Sequence, residues 1–135
     1  MIRYSRFVFR PMKSLHRSFY QRPTLTVARD LLGCFLVRKM PARRGRGSKI
    51  VRARITEVEA YIGEDDLACH ASKGRTKRTE IMYGEAGHAY VYLIYGMYEL
   101  LNIVTEAKDF PAAILIRAVE IEGMPKIKTN GPGNF

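Results

Sequence analysis

Residues 90–102 read YVYLIYGMYELLN. Apolar and polar positions alternate with a period of two on both sides of Gly96, which predicts a strand, a tight turn and a returning strand. The stretch holds four of the chain's eight tyrosines (Tyr90, Tyr92, Tyr95, Tyr98) and one charged residue, Glu99. In a chain with a formal net charge of +10, an aromatic hairpin has two readings. It packs its tyrosines on its own core, as strands commonly do, or it presents them to flat rings tethered to negative charge, namely nucleic acid bases.

The chain length of 135 residues allows one domain. At 47% hydrophobic residues it can bury a real but small core. Lys and Arg number 23 against 13 Asp and Glu, and such a balance favours a polyanion through long-range attraction and counterion release. Generic basicity is the alternative. Cys34 and Cys69 form no CxxC spacing and no disulfide framework, so a reducing interior is the default. No apolar run approaches the roughly 18 residues of a membrane span.

Residues 1–21 form a basic N-terminal arm, expected to be flexible. Six Lys or Arg and no acid fall within residues 1–22. Arg3, Arg6, Arg10, Lys13 and Arg17 are spaced roughly as on an amphipathic helix, which leaves open an organelle transit peptide, a phosphate-binding arm or a disordered extension.

Around the hairpin, strands are expected at 89–95 and 98–106, and another at 112–120. In the last, both faces are apolar, which marks a central strand with Arg117 as a cation in need of a partner. A strand at 50–61 places Val51, Ala53 and Ile55 on one face. Glu57, Glu59 and Tyr61 continue that face by strict alternation. Carboxylates where an apolar face should continue break the pattern, and burying one costs several kcal/mol or raises its pKa. Such breaks mark functional sites, unless the strand ends near Thr56 and both acids are solvated. Upstream, a helix at 25–32 would bury Leu25, Ala28 and Leu32, with Gly33 as its C-cap. A strand at 34–39 follows, then the basic loop PARRGRGSK at 41–49, a solvated hairpin tip or a phosphate contact. Residues 63–87 read as loop with one Asp-capped helical turn at 65–71 and a second basic run, Lys73, Arg75, Lys77 and Arg78. Residues 122–135 carry turn signals only.

The fold class is therefore α+β: a single domain, a curved and mostly antiparallel sheet, few short helices and a protruding β-hairpin. There is no βαβ period, and no GxGxxG or P-loop pattern to support a nucleotide-cofactor enzyme. Three histidines without ligand spacing do not argue for zinc.

Five sequence words, in order, closely resemble the alkyladenine (3-methyladenine) DNA glycosylases, the AAG/MPG type of base-excision repair enzyme. They are RPTLTVARDLLG at 22–33, ITEVEAYIGEDDLACHAS at 55–72, GRTKR at 74–78, YVYLIYGMYELLNIV at 90–104 and ILIRAVE at 114–120. The resemblance makes 22–135 a glycosylase-like domain. It implies a monofunctional hydrolase that flips an alkylated or deaminated purine (3-methyladenine, hypoxanthine, ethenoadenine class) out of duplex DNA and hydrolyses its N-glycosidic bond. It implies no metal, no cofactor and no strand-cleaving lyase step. The expected partner is double-stranded DNA containing damaged purines, met by a monomer away from membranes. The expected compartment is cytoplasm or nucleoid in a bacterium, or the nucleus in a eukaryote, with organelle import through the basic N-terminus left open.

Residue roles follow from the same resemblance. Glu59 matches the general base that activates a water against the anomeric carbon, where an oxocarbenium-like transition state needs nearby negative charge. Arg117 matches an arginine beside that water, with Glu59 as its partner. Tyr61, His70 and Tyr92 match the pocket that stacks on the flipped base, and Asn102 the asparagine that crowds guanine's exocyclic amine. Tyr95 matches the minor-groove wedge, with Met97 beside it at the tip. Arg75 and Arg78 are expected to contact DNA. The sequence departs from the family pattern GRTPRN at Lys77 and Thr79. Family members also continue past the GPG at 131–133, so a C-terminally short form is expected. A lesion- or nucleic-acid-binding module that does not cut is the alternative function.

Overall fold

The computed structural model describes residues 13–42, 47–124 and 131. The arm residues 1–12 and the tip of the basic loop, 43–46, lie outside them, as does most of the stretch after residue 124. The architecture is built on the most apolar strand. β5 (Ala112–Ile121) is buried along nearly its whole length, and a strand that is apolar on both faces needs neighbours on both edges. It has them: β2 (Lys49–Ile62) on one side and β4 (Tyr98–Val104) on the other, with β1 (Phe35–Met40) and β3 (Ala89–Ile94) outside. The order is β1-β2-β5-β4-β3, and every pairing is antiparallel. The expected α+β class with its hairpin is what forms.

The two faces are covered differently. One carries α2 (Thr24–Leu31), which packs Val27, Ala28 and Leu31 on Ala53, Ile55, Ile114, Ile116 and Val119. Full burial of a Val or Leu side chain contributes about 1.5–3 kcal/mol, so these few residues dominate that layer. The helix begins one residue earlier than expected, and this changes its inner face. Thr24, Val27, Ala28 and Leu31 are buried at i, i+3, i+4, i+7 spacing, whereas Leu25 and Leu32 are exposed. The start is fixed from a distance. Glu106 accepts from the Thr24 amide at 2.6 Å and the Thr24 hydroxyl at 2.8 Å, and that hydroxyl lies 2.9 Å from Thr105 Oγ1. Gly33 ends the helix with φ +83°, as its position required. Phe19 and Tyr20, the last two residues of the short α1 (Arg17–Tyr20), pack against this same layer. Ordered packing thus begins ahead of residue 22.

The opposite face is covered by residues 63–87, which hold two 3-10 turns at His70–Lys73 and Glu80–Tyr83. The Asp-capped helical turn expected at 65–71 does not form: Asp66 accepts from the Ala68 amide at 3.0 Å within a turn, and the 3-10 helix starts only at His70, with Cys69 as an N-cap that makes no side-chain bond. Here Cys69, Ala71, Met82 and Tyr83 pack on Tyr90, Val104 and Ala113. Toward β1 and β3 the helix-bearing face is open, leaving a shallow apolar trough of about 540 Å³ bordered by Leu36, Val51, Val91, Leu101 and Ile121.

Strict alternation fails in the middle of the sheet. The β2–β5 register runs Ile55↔Val119, Glu57↔Ala118, Val58↔Ile116. Thr56 is an extra residue on β2 and Arg117 an extra residue on β5, and the two bulges restore the register beyond them. Each bulge exchanges the faces of the residues that follow. Val58 and Ala60 therefore join Ala53 and Ile55 beneath α2, and Glu59 and Tyr61 turn to the other side. Glu59 does not continue the Ala53–Ile55 face, as alternation expected. It stands on the loop-covered face, half-exposed.

Candidate active site

Four strands and one loop converge on the loop-covered face. β2 contributes Glu59 and Tyr61, β5 contributes Ala113 and Arg117, and the hairpin contributes Tyr90, Tyr92 and Asn102. A pocket of about 140 Å³ is lined by Tyr61, Ala68, His70, Met82, Tyr90, Tyr92, Asn102 and Ala113. All four pocket residues expected from sequence, Tyr61, His70, Tyr92 and Asn102, are in that lining.

Glu59 sits at its edge with two partners. Tyr61 Oη donates to Glu59 Oε2 at 2.5 Å, and Arg117 Nε lies 3.4 Å from Oε1. Each carboxylate oxygen is thus held from a different side, which fixes its orientation. Arg117 has the partner it needed, though it is not a buried cation: both side chains are 41% exposed. Burial first, and then the bond to Glu59, raise the Tyr61 pKa far above its usual value of 10.0, so this phenol stays protonated and remains a donor. Glu57, two residues back, is exposed and lies across from Ala118.

The aromatic wall is a cluster. His70 meets Tyr92 edge-on, with ring centroids 4.4 Å apart at 69°, and Tyr90 stacks obliquely on Tyr92 at 5.4 Å. Edge-to-face geometry sets the positive rim of one ring on the negative face of another. Desolvation, then the charges of Arg78 and Lys73, lower the His70 pKa from 6.5, so the ring is neutral at physiological pH. The Arg78 guanidinium lies over the Tyr92 ring, 5.4 Å from its centroid. Asn102, 2% exposed, donates from Nδ2 to the carbonyls of Tyr90 and Leu100, each at 3.3 Å.

The loop that carries His70 is tied down by other side chains. Arg75 makes a two-pronged contact with Glu80 at 2.7 and 2.8 Å and a third bond to Asp109 at 3.0 Å. Its guanidinium is occupied by protein carboxylates, whereas that of Arg78 lies against the aromatic wall. Thr79, where the sequence departs from GRTPRN, is buried; its hydroxyl accepts from the Thr76 amide at 2.8 Å and donates to the Gly74 carbonyl at 3.0 Å. Tyr83 donates to Glu64 at 2.5 Å, and burial with that bond pushes its pKa up to about 12.

At the far end of the hairpin, Tyr95, Gly96 and Met97 form a three-residue loop between Ile94 and Tyr98. Tyr95 is 85% exposed and Met97 67%. Tyr95 has φ +50°, a left-handed conformation that a side chain with Cβ rarely adopts.

Sequence reasoning did not place Met82, Ala68 or Ala113 in the pocket. Ala113 was within reach, since it shares a strand face with Leu115 and Arg117. Met82 comes from an irregular loop with no periodic signal.

The fold and the site define a small antiparallel-sheet domain in which an acid–arginine pair borders an aromatic slot. The family profile described as Methylpurine-DNA glycosylase (MPG) matches residues 18–134, and the chain belongs to that family. Among its relatives, a protein of Methanocella arvoryzae is 64% identical over 113 residues, 83% of this chain and 54% of its own length. One of Myxococcus xanthus is 56% identical over 126 residues, 92% and 62% respectively. One of Sodalis glossinidius is 55% identical over 121 residues, 90% and 65%. All three names assign them, provisionally, as 3-methyladenine DNA glycosylases. The chain spans between half and two thirds of the length of these relatives. No helix among the described residues is long and apolar enough to cross a membrane.

Proposed function

We propose that the chain is the part of a monofunctional DNA glycosylase that holds its chemistry, acting on alkylated or deaminated purines in duplex DNA. One observation carries the reading: Glu59 is held by Tyr61 and Arg117 beside a slot of aromatic rings. Tyr95 enters the duplex and fills the space of the displaced nucleotide. The flipped base enters between the aromatic side chains, where electron-rich rings favour the positive charge of many alkylated purines. Asn102, buried and fixed by two backbone carbonyls, cannot swing away from a guanine amine. Glu59 takes a proton from a water aimed at the anomeric carbon, and its charge stabilises the developing oxocarbenium ion. Arg117 orients the carboxylate. The basic surface, Arg78 included, attracts the phosphates, while Arg75 holds the His70 loop in place.

The test is release of hypoxanthine or ethenoadenine from a duplex oligonucleotide by wild type and Glu59→Gln. Loss of a general base costs about 100- to 10,000-fold in rate. Equal rates in both would remove Glu59 from that role. Lesion-selective binding by wild type without any abasic product would make the chain a binding module instead.

A further inference from the structure

Tyr90 is 4% exposed, and its hydroxyl is a buried donor that must find an acceptor. His70 Nδ1 lies 3.0 Å away, with the rings edge-on at 86°, and it is the hydroxyl's one side-chain hydrogen-bond partner among the described residues. The Tyr90 proton therefore goes to the lone pair of a neutral His70 Nδ1. The opposite assignment, Nδ1–H donating to Tyr90, would leave the phenol proton buried without an acceptor.

We propose that Tyr90 is a positioning residue: bonded to His70 Nδ1, it holds the imidazole as the tautomer with Nδ1 bare and the proton on Nε2. His70 lines the purine pocket, so its remaining polar atom is a donor with no acceptor capacity. On the glycosylase reading above, this favours purine edges that present an acceptor, such as the carbonyl oxygen left by deamination. Edges that present an amino group gain nothing from it. The positioning chain is short and rigid. Tyr90 sits in β3 opposite Asn102, and Asn102 bonds its carbonyl.

The test has two readouts. Long-range nitrogen–proton NMR of the His70 ring in the intact chain reports the tautomer without any substrate. Wild type should show Nε2 protonated and Nδ1 bare, and Tyr90→Phe, which keeps the ring and its packing, should show a tautomer mixture. Wild-type His70 with its proton on Nδ1 would overturn the proposal even if Tyr90→Phe failed to fold. The second readout is the ratio of kcat/KM for hypoxanthine over a 3-methyladenine substrate. Tyr90→Phe should lower it in proportion to the share of His70 that keeps its proton on Nε2, about twofold for an even mixture. An altered tautomer with an unchanged ratio would refute the role in selectivity. Absence of any excision by wild type would count against the glycosylase reading and leave the tautomer result standing.

Discussion

Replacing Tyr95 with glycine should separate the work of the hairpin tip from the stability of the fold. A left-handed backbone costs an L side chain about 1–2 kcal/mol, which glycine would recover. Against this, glycine loses about 0.5–1 kcal/mol more conformational entropy on folding. The ring is 85% exposed, so only roughly 30 Å² of its surface is shielded, about 0.7 kcal/mol. The terms nearly cancel, and the melting temperature should move by less than about 5 °C. Function should not be spared. A ring stacked on bases contributes about 1–3 kcal/mol, so binding of abasic-analogue duplex should weaken about 5- to 150-fold. Single-turnover excision from a duplex should slow with it. On a single-stranded lesion oligonucleotide, where no stack has to be opened, the variant and wild type should match. A variant that melts far below wild type would show that Tyr95 serves the fold. Unchanged duplex binding would show that it is no wedge.

Three further outcomes test the scaffold and its titration. Glu106→Ala removes the acceptor from the Thr24 amide and hydroxyl at the start of α2 and should cost about 1–2 kcal/mol in chemical denaturation, while Glu106→Gln, which keeps an acceptor oxygen, should cost less. A methyl on Gly87, at φ +83°, would meet Tyr20 Cδ2 at 3.0 Å, whereas on Gly96, at φ +68°, it would meet nothing. Gly87→Ala should therefore destabilise by about 1–3 kcal/mol and by more than Gly96→Ala, read as the difference in denaturation midpoints. His70 has a lowered folded-state pKa, so the unfolded chain binds its proton first as pH falls. Its contribution is present in full above the ordinary value of 6.5 and is lost as pH falls from there through the lowered value; a pH series of melting temperatures should flatten in that window in His70→Gln.

Most of the fold was legible because its signals are periodic. The hairpin, the central strand and the helix before Gly33 rest on alternation, helical spacing and a left-handed cap, and each lies within a residue or two of its expected bounds. What escaped reading was what periodicity cannot encode. The inner face of α2 shifted because Glu106, 82 residues away from Thr24, sets where the helix starts. The facing of Glu59 shifted because nothing in the residues around Thr56 announces a bulge. The candidate site residues were read through family words, and the residue-level argument singled out Glu59 on a premise that the structure overturns. It supposed a carboxylate forced into an apolar face, whereas the strand turns over and delivers Glu59 to a polar partner.

The paired bulges behave like a frameshift and its suppressor. Upstream of Thr56 and downstream of Arg117 the two strands read in one frame. Between these positions the frame is offset for a single step, and Arg117 is itself one of the two inserted residues. Each extra residue turns its own strand over, and Glu59 and Arg117 meet on one face because both strands turn at the same level of the sheet.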